Sequence, residues 1–212
     1  MTTEKRDFNQ AAATWDENPG RVKLARDIAD SMINNLTITS DMNVMDFGCG
    51  TGLLTVQLQP FVRSITGVDS SQGMLDILND KITKLHLPNV KTMLIDIEKG
   101  QNLNGNYQLI VSSLTLHHIV DLKPLLSQFN KVITPGGFLS IADLDSDDGQ
   151  FHDNNTGVFH SGFDRAVMRK YFSEAGFDNI TDTTAATVTK PSFNQGIREF
   201  TVFLITGRKT AK

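Results

Sequence analysis

The run Val44-Met45-Asp46-Phe47-Gly48-Cys49-Gly50-Thr51-Gly52 constrains this chain more than any other stretch. It starts as an apolar strand, ends in glycines at every second position, and leads into Leu53-Leu54-Thr55-Val56, which can begin a helix. A strand that turns sharply into a helix makes a ligand site. The first amides of a helix have no partner within it and carry partial positive charge, and glycines without Cβ let a ligand approach the backbone. An anionic or polar ligand is expected there.

The spacing narrows the choice. A dinucleotide fingerprint reads G-x-G-x-x-G, whereas this turn reads D-x-G-x-G-x-G, with Asp46 at the strand end. No G-x-x-x-x-G-K-[ST] occurs, so a nucleoside triphosphate has no P-loop lysine for its phosphates. The pattern resembles motif I of the class I S-adenosylmethionine-dependent methyltransferases. In that family the ligand brings an amino-acid carboxylate and ammonium rather than a pyrophosphate, so Asp46 is tolerated where a diphosphate would be repelled. The resemblance implies S-adenosyl-L-methionine as cofactor, with Asp46, Gly48, Cys49, Gly50 and Gly52 around it.

Later segments fall in register with this reading. The second strand, Ser64-Ile65-Thr66-Gly67-Val68, closes on Asp69, about twenty residues after the glycines, where a doubly wound sheet places an acid on ribose hydroxyls. Asp69 can also cap the next helix, but Ser70 and Ser71 are available for that. The resemblance places Ser70 at the cofactor and Met74 against the adenine. After the third strand, Val90–Ile95, it places Asp96 at the adenine amino group and the Ile97 amide at a ring nitrogen. The fourth strand, Tyr107–Val111, is a nearly continuous apolar run, as expected of a strand buried on both faces, and leads into Ser112-Ser113-Leu114-Thr115-Leu116-His117-His118. By the same resemblance Ser112 and Leu114 meet the methionine moiety and His117 faces the substrate.

Methylating a hydroxyl or a protonated amine requires a base, and imidazole accepts a proton near neutral pH. His117, His152 and His160 are the candidates. The latter two lie in the acidic, aromatic-studded stretch 145–165, which leaves the sheet at the carboxyl end of a strand and is expected to be a substrate lid. Its acids also admit a divalent cation, although the EF-hand spacing fails for want of a glutamate at the twelfth position. Cys49 is the one cysteine, so an intramolecular disulfide is excluded, and without C-x-x-C a small filler role is expected of it.

The fold expected is α/β: a Rossmann-like doubly wound sheet, mostly parallel with an antiparallel last strand, and helices on both faces. A break at Pro19-Gly20 is expected before the first packed helix, Asp121 and Asp164 are expected to start helices, the latter with Val167, Met168, Tyr171, Phe172 and Ala175 inward, and Thr134-Pro135-Gly136-Gly137 to turn the chain into a fifth strand; the tail Arg208-Lys209-Thr210-Ala211-Lys212 is basic. With 212 residues it is expected to form a single domain, residues 1–212, in which residues 1–40 supply an N-terminal cap and helix. The phrase Phe8-x-x-x-Ala12-x-x-Trp15-Asp16 resembles the segment that folds over the cofactor in small methyltransferases. A net charge of -4 and the lack of a basic run argue for a small-molecule acceptor rather than nucleic acid. No apolar run approaches a membrane span and no signal-peptide pattern is visible, so a cytoplasmic location is the default. Oligomeric state is not readable. Two other functions compete: a nicotinamide-dependent oxidoreductase, and a cofactor-binding module without chemistry that serves a partner protein.

Overall fold

Strand β1 (Asn43–Phe47) is covered on both sides: Val44 joins one apolar layer, while Met45 and Phe47 join the other. That double burial is why its sequence is apolar without alternation, Asp46 excepted. The computed structural model describes residues 6–192 and 196–210. Residues 1–5 of the expected cap, and Ala211 and Lys212 of the basic tail, lie outside them.

Seven strands form one sheet in the order β3-β2-β1-β4-β5-β7-β6. The first five, β1 with β2 (Ser64–Asp69), β3 (Val90–Leu94), β4 (Tyr107–Ser113) and β5 (Ile133–Leu144), pair in parallel. Strand β7 (Gly196–Lys209) inserts antiparallel between β5 and β6 (Phe177–Ser192). The direction of chain reverses on either side of β1, and the carboxyl ends of β1 and β4 flank that switch point, where α/β sheets bind ligands.

Helices α2 (Pro19–Asn35) and α3 (Leu53–Leu58) bury Leu24, Ile28, Met32, Leu54 and Leu58 against one face. On the same side α4 (Gln72–Lys84) presses so closely that a Cβ on Gly67 would stand 2.9 Å from both Leu78 and Cys49. The other face is covered by α5 (Leu122–Val132) and α6 (Arg165–Glu174), which bury Leu125, Leu126, Phe129, Met168 and Phe172. Helix α1 (Phe8–Ala11) is a single turn ahead of this frame. Among the described residues no helix is long and apolar enough to cross a membrane.

The boundaries differ from the sequence reading in three places. Pro19-Gly20 does not break the chain before a helix; it is the first turn of α2. Asn18 accepts from Gly20 N at 2.9 Å and Arg21 N at 3.3 Å, and proline fits the first helical position because no amide partner is needed there. Thr134-Pro135-Gly136-Gly137 lies within β5 as an irregularity, with the register shifting between Tyr107 and Leu109 and Gly136 at φ +79°. Val167, expected inward on α6, is 45% exposed, because the buried stripe runs through Met168 and Phe172.

Candidate active site

A cavity of about 350 Å³ opens at the carboxyl ends of β1 to β4, beneath the N-terminal segment. Its walls come from the glycine turn (Asp46 to Thr51), from Asp69, Ser70, Ser71 and Met74, and from Asp96 and Ile97. Leu114, Thr115, His118 and Phe159 close another side, and Arg6, Phe8, Trp15 and Arg21 close the top. Of the residues expected at the cofactor, Gly52 and Ser112 do not line it. Ser112 is fully buried and donates its hydroxyl to the Phe47 carbonyl at 2.8 Å, tying β4 to β1.

The glycine turn works differently from the first expectation. Its amides are largely spoken for: Gly48 N and Cys49 N donate to Val68 O at 2.7 and 3.1 Å, and Gly52 N to Cys49 O at 2.8 Å. Gly50 N donates to Asp69 Oδ2 at 2.8 Å. The glycines are required by sterics instead. At Gly48, with φ +71°, a Cβ would fall 2.2 Å from Thr115, and at Gly52, with φ +81°, 2.3 Å from Leu78. Gly48 and Gly50 both line the cavity, but only at Gly50 is the place of a Cβ open, with Met74 Sδ at 3.9 Å the one atom it would meet.

The acids at the strand ends are individually constrained. Asp46 is buried and accepts from Thr55 Oγ1 at 2.6 Å. Burial raises its pKa to about 7, the Thr55 bond opposes this and the Asp69 charge adds to it. Asp69 accepts from Gly50 N and Ser71 N, both at 2.8 Å, yet burial still lifts its carboxyl above the usual range. Asp96 accepts from Glu98 N at 3.1 Å and pairs with Lys99 at 3.2 Å. Cys49 is buried, with its thiol pushed well up by that burial, so it fills space rather than reacts. Leu114 takes φ +51°, a left-handed conformation costly for a bulky residue, and its amide is fixed on Ala142 O at 2.8 Å.

The histidines are distributed otherwise than the sequence reading expected. His117 is buried behind the cavity wall, its Nδ1 2.7 Å from Asp143 Oδ1, with its Nε2 unpartnered among the described residues. Asp143 also accepts from Leu116 N at 2.9 Å and Leu144 N at 2.8 Å. Burial pushes the Asp143 carboxyl up, but the His117 charge and hydrogen bond outweigh it and hold the group below its ordinary value. His152 lies 4.9 Å from the His117 ring, and His160 donates from Nε2 to Ile119 O at 2.9 Å; neither lines the cavity. The imidazole that does is His118, which the sequence reading passed over. Its Nδ1 donates to the Gly157 carbonyl at 2.6 Å, which leaves Nε2 as the bare nitrogen of the neutral ring. Burial first, then the neighbouring His117, lowers its pKa to about 4.

Segment 145–165 is pinned at its base. Arg165 forks onto Asp145 at 2.7 and 2.6 Å, Phe163 N donates to Leu144 O at 2.8 Å, and Asp147 N to Ser161 O at 3.1 Å. Gly157 and Phe159 of this loop reach the cavity. Its acids are divided: Asp147 accepts from Gly149 N and Phe151 N at 2.8 and 2.7 Å within the loop, whereas Asp145 accepts from Thr201 at 2.6 Å and Asp153 pairs with Lys190 at 3.4 Å. Among the described residues no group of three His, Cys, Asp or Glu side chains is gathered as metal ligands would be.

The N-terminal segment is latched to the same site. Asn9 Oδ1 accepts from Ser71 Oγ at 2.9 Å and Gly73 N at 2.8 Å. Asp16 accepts from Thr51 Oγ1 at 2.6 Å and pairs with Lys81 at 2.5 Å, while Lys81 also donates to Thr51 O at 2.7 Å. Arg21 stacks over Trp15 at 4.0 Å. A cation in the first turn of a helix opposes the helix dipole, and that is the one sequence signal that marks Arg21 for a task other than helix stability.

This strand order, with a ligand cavity at the switch point and an acid at the end of each of the first three strands, defines a Rossmann-like class I methyltransferase fold. Residues 20–182 match the methyltransferase-domain family, and the chain belongs to that family. An uncharacterized methyltransferase of Schizosaccharomyces pombe is 31% identical over 175 residues, 75% of this chain and 61% of that protein. The chain thus spans about three fifths of that relative's length. Among solved structures, the methyltransferase bound to the Haloferax volcanii Trm112 activator superposes with a TM-score of 0.73 at 15% identity, over 98% of both chains. The DhpI–SAH complex gives 0.72 at 15% identity, over 97% of this chain and 94% of that one. Both likenesses concern the fold. The family leaves the nicotinamide reading without support.

Proposed function

We propose that the chain transfers a methyl group from S-adenosylmethionine to an oxygen, nitrogen or sulfur of a small-molecule acceptor, with His118 as the base. The observation that carries this is one imidazole at the cavity wall whose Nδ1 is committed to Gly157, leaving Nε2 to receive a proton.

The residues present suit the cofactor. The space beside Gly50 that a Cβ would occupy admits a ligand against the backbone. Asp46, with a pKa near 7, gains from any cationic group beside it, and Asp69, Asp96 and Ile97 line the side of the cavity that would receive the ribose and the base. When bound, the cofactor supplies an electrophilic methyl group on a sulfonium. What the chain adds is alignment and a dry site, with Phe8, Trp15 and Phe159 as apolar walls. His118 is unprotonated at neutral pH and so ready to accept a proton from an acceptor hydroxyl or ammonium. Asp143 acts behind it as a positioning residue, since it grips both Leu116 N and His117 in the turn that carries His118.

The test is methyl transfer to a panel of phenols, amines and thiols by the wild type and by His118→Gln. Loss of the base should lower kcat by about 10²–10⁴ with cofactor affinity within about twofold. Full turnover in His118→Gln removes the assignment. Cofactor binding without transfer to any acceptor would favour the non-catalytic module.

A further inference from the structure

We propose that the acceptor carries an oxyanion on an apolar, flat body, and that Arg6 binds this oxyanion; the inference rests on the methyl-transfer reading above. Two guanidiniums line the cavity, Arg6 and Arg21. Neither has a carboxylate partner among the described residues; Arg26, Arg63 and Arg208 also lack one but are exposed, whereas Arg6 and Arg21 are half-buried at the cavity. A planar guanidinium left unpaired beside a ligand cavity matches a carboxylate or phosphate.

The cofactor brings one carboxylate, which accounts for one of the two. The arrangement of the sheet edge shows which. Asp96, Asp69 and Asp46 stand at or just beyond the carboxyl ends of β3, β2 and β1, which are consecutive in the sheet, so the nucleoside side of the cavity runs along them. Strand β4 comes next, carrying Leu114, Thr115 and His118. Arg6 belongs to this β4 side. A Cβ on Gly157 would fall 2.7 Å from the Arg6 amide nitrogen, and Gly157 is the residue whose carbonyl holds His118. The Arg6 guanidinium lies 5.6 Å from the Phe8 ring, and Phe8 meets the His118 ring edge-on at 5.1 Å. Arg21 stands on α2, which packs on α3 directly after the glycine turn, and donates to Trp15 O at 3.3 Å; the two guanidiniums meet over the Trp15 ring, at 4.0 Å for Arg21 and 6.0 Å for Arg6, with Arg6 reaching it from the His118 side. Phe8, Trp15, Ile119 and Phe159 supply the apolar surface for the acceptor's body.

The pairing also serves the base. Burial is the main reason that His118 titrates low, and the Arg6 charge contributes to it. An anion seated on Arg6 cancels that repulsion and makes Nε2 a better proton acceptor. In the transfer, the acceptor's oxygen or nitrogen bonds to the methyl carbon, the carbon–sulfur electron pair stays on sulfur, and the acceptor's proton passes to His118 Nε2.

Calorimetry on the full chain preloaded with S-adenosylhomocysteine tests this, using benzoate, phenyl phosphate and neutral benzamide. At least one anion should bind about tenfold tighter than benzamide, and the better of the two identifies the oxyanion. Arg6→Gln should abolish the difference with S-adenosylhomocysteine affinity within about twofold, and Arg6→Lys should restore part of it. Equal binding of all three probes, binding of none, or a preference that survives in Arg6→Gln overturns the proposal. Absence of S-adenosylhomocysteine binding would instead overturn the methyl-transfer reading itself.

Discussion

Asp46 shows how a single buried side chain couples the site to pH. Its folded-state pKa of about 7 lies above the value near 4 of an unfolded carboxyl, so the native protein binds the extra proton between those limits. Stability from this group therefore falls as pH rises through about 4 to 7, by up to about 1.4 kcal/mol per unit. Urea unfolding at pH 5, 6 and 7 should show that slope in the wild type and a shallower one in Asp46→Asn, which keeps an oxygen for Thr55 to bond. Asp69→Ala removes an acceptor held by two backbone amides at the proposed ribose position. It should weaken S-adenosylmethionine binding by about 1.5–3 kcal/mol in calorimetry, and unchanged affinity would end the ribose assignment. These strand-end acids were legible because backbone spacing alone brings them to one edge of the sheet. The choice between His117 and His118 was not. It depends on Asp143, which comes from β5, more than twenty residues away, and draws His117 inward so that its neighbour faces the cavity.

Among the elements, the N-terminal segment behaves as a strap fastened at two points, Asn9 on the start of α4 and Asp16 on Thr51 and Lys81. The Asp16–Lys81 pair is partly exposed, so Asp16→Asn should cost at most about 1 kcal/mol of global stability. Its effect belongs to the strap itself: amide hydrogen exchange over residues 8–17 should quicken, and the cofactor should dissociate faster, while core strands keep their protection. Equal exchange in variant and wild type would show that Asp16 is no fastening. Helix starts were read well where a side chain announces them: Asp121 and Asp164 cap α5 and α6 as their positions imply. Thr134-Pro135-Gly136-Gly137 misled because turn-forming residues can equally be absorbed as a bulge inside a long strand, and only the pairing partner decides.

For the whole molecule, cooperativity should reside in the layer that joins β1, β4 and β5 to α5 and α6. Phe129 is completely buried there and packs edge-on against Phe47 at 5.1 Å, directly under the glycine turn. Phe129→Ala should destabilise by about 3–5 kcal/mol and lower Tm by roughly 6–20 °C, measurable by calorimetric melting. A shift of only a degree or two would mean that the layer repacks. The doubly wound α/β class was foreseeable from apolar runs that alternate with helical stripes, and the antiparallel last strand from the family resemblance, but the way the chain closes on the cavity was not. That closure depends on contacts between distant segments, such as Arg6 with Gly157.

The fork of Arg165 on Asp145 has one more implication. It staples the two ends of the excursion beyond β5 to each other, while the tip is moored to the sheet separately, by Lys190 on Asp153 and by Phe151 edge-on to Phe200 at 5.5 Å. A graft that replaces the excursion would therefore have to keep both moorings and the Gly157 carbonyl on which His118 rests.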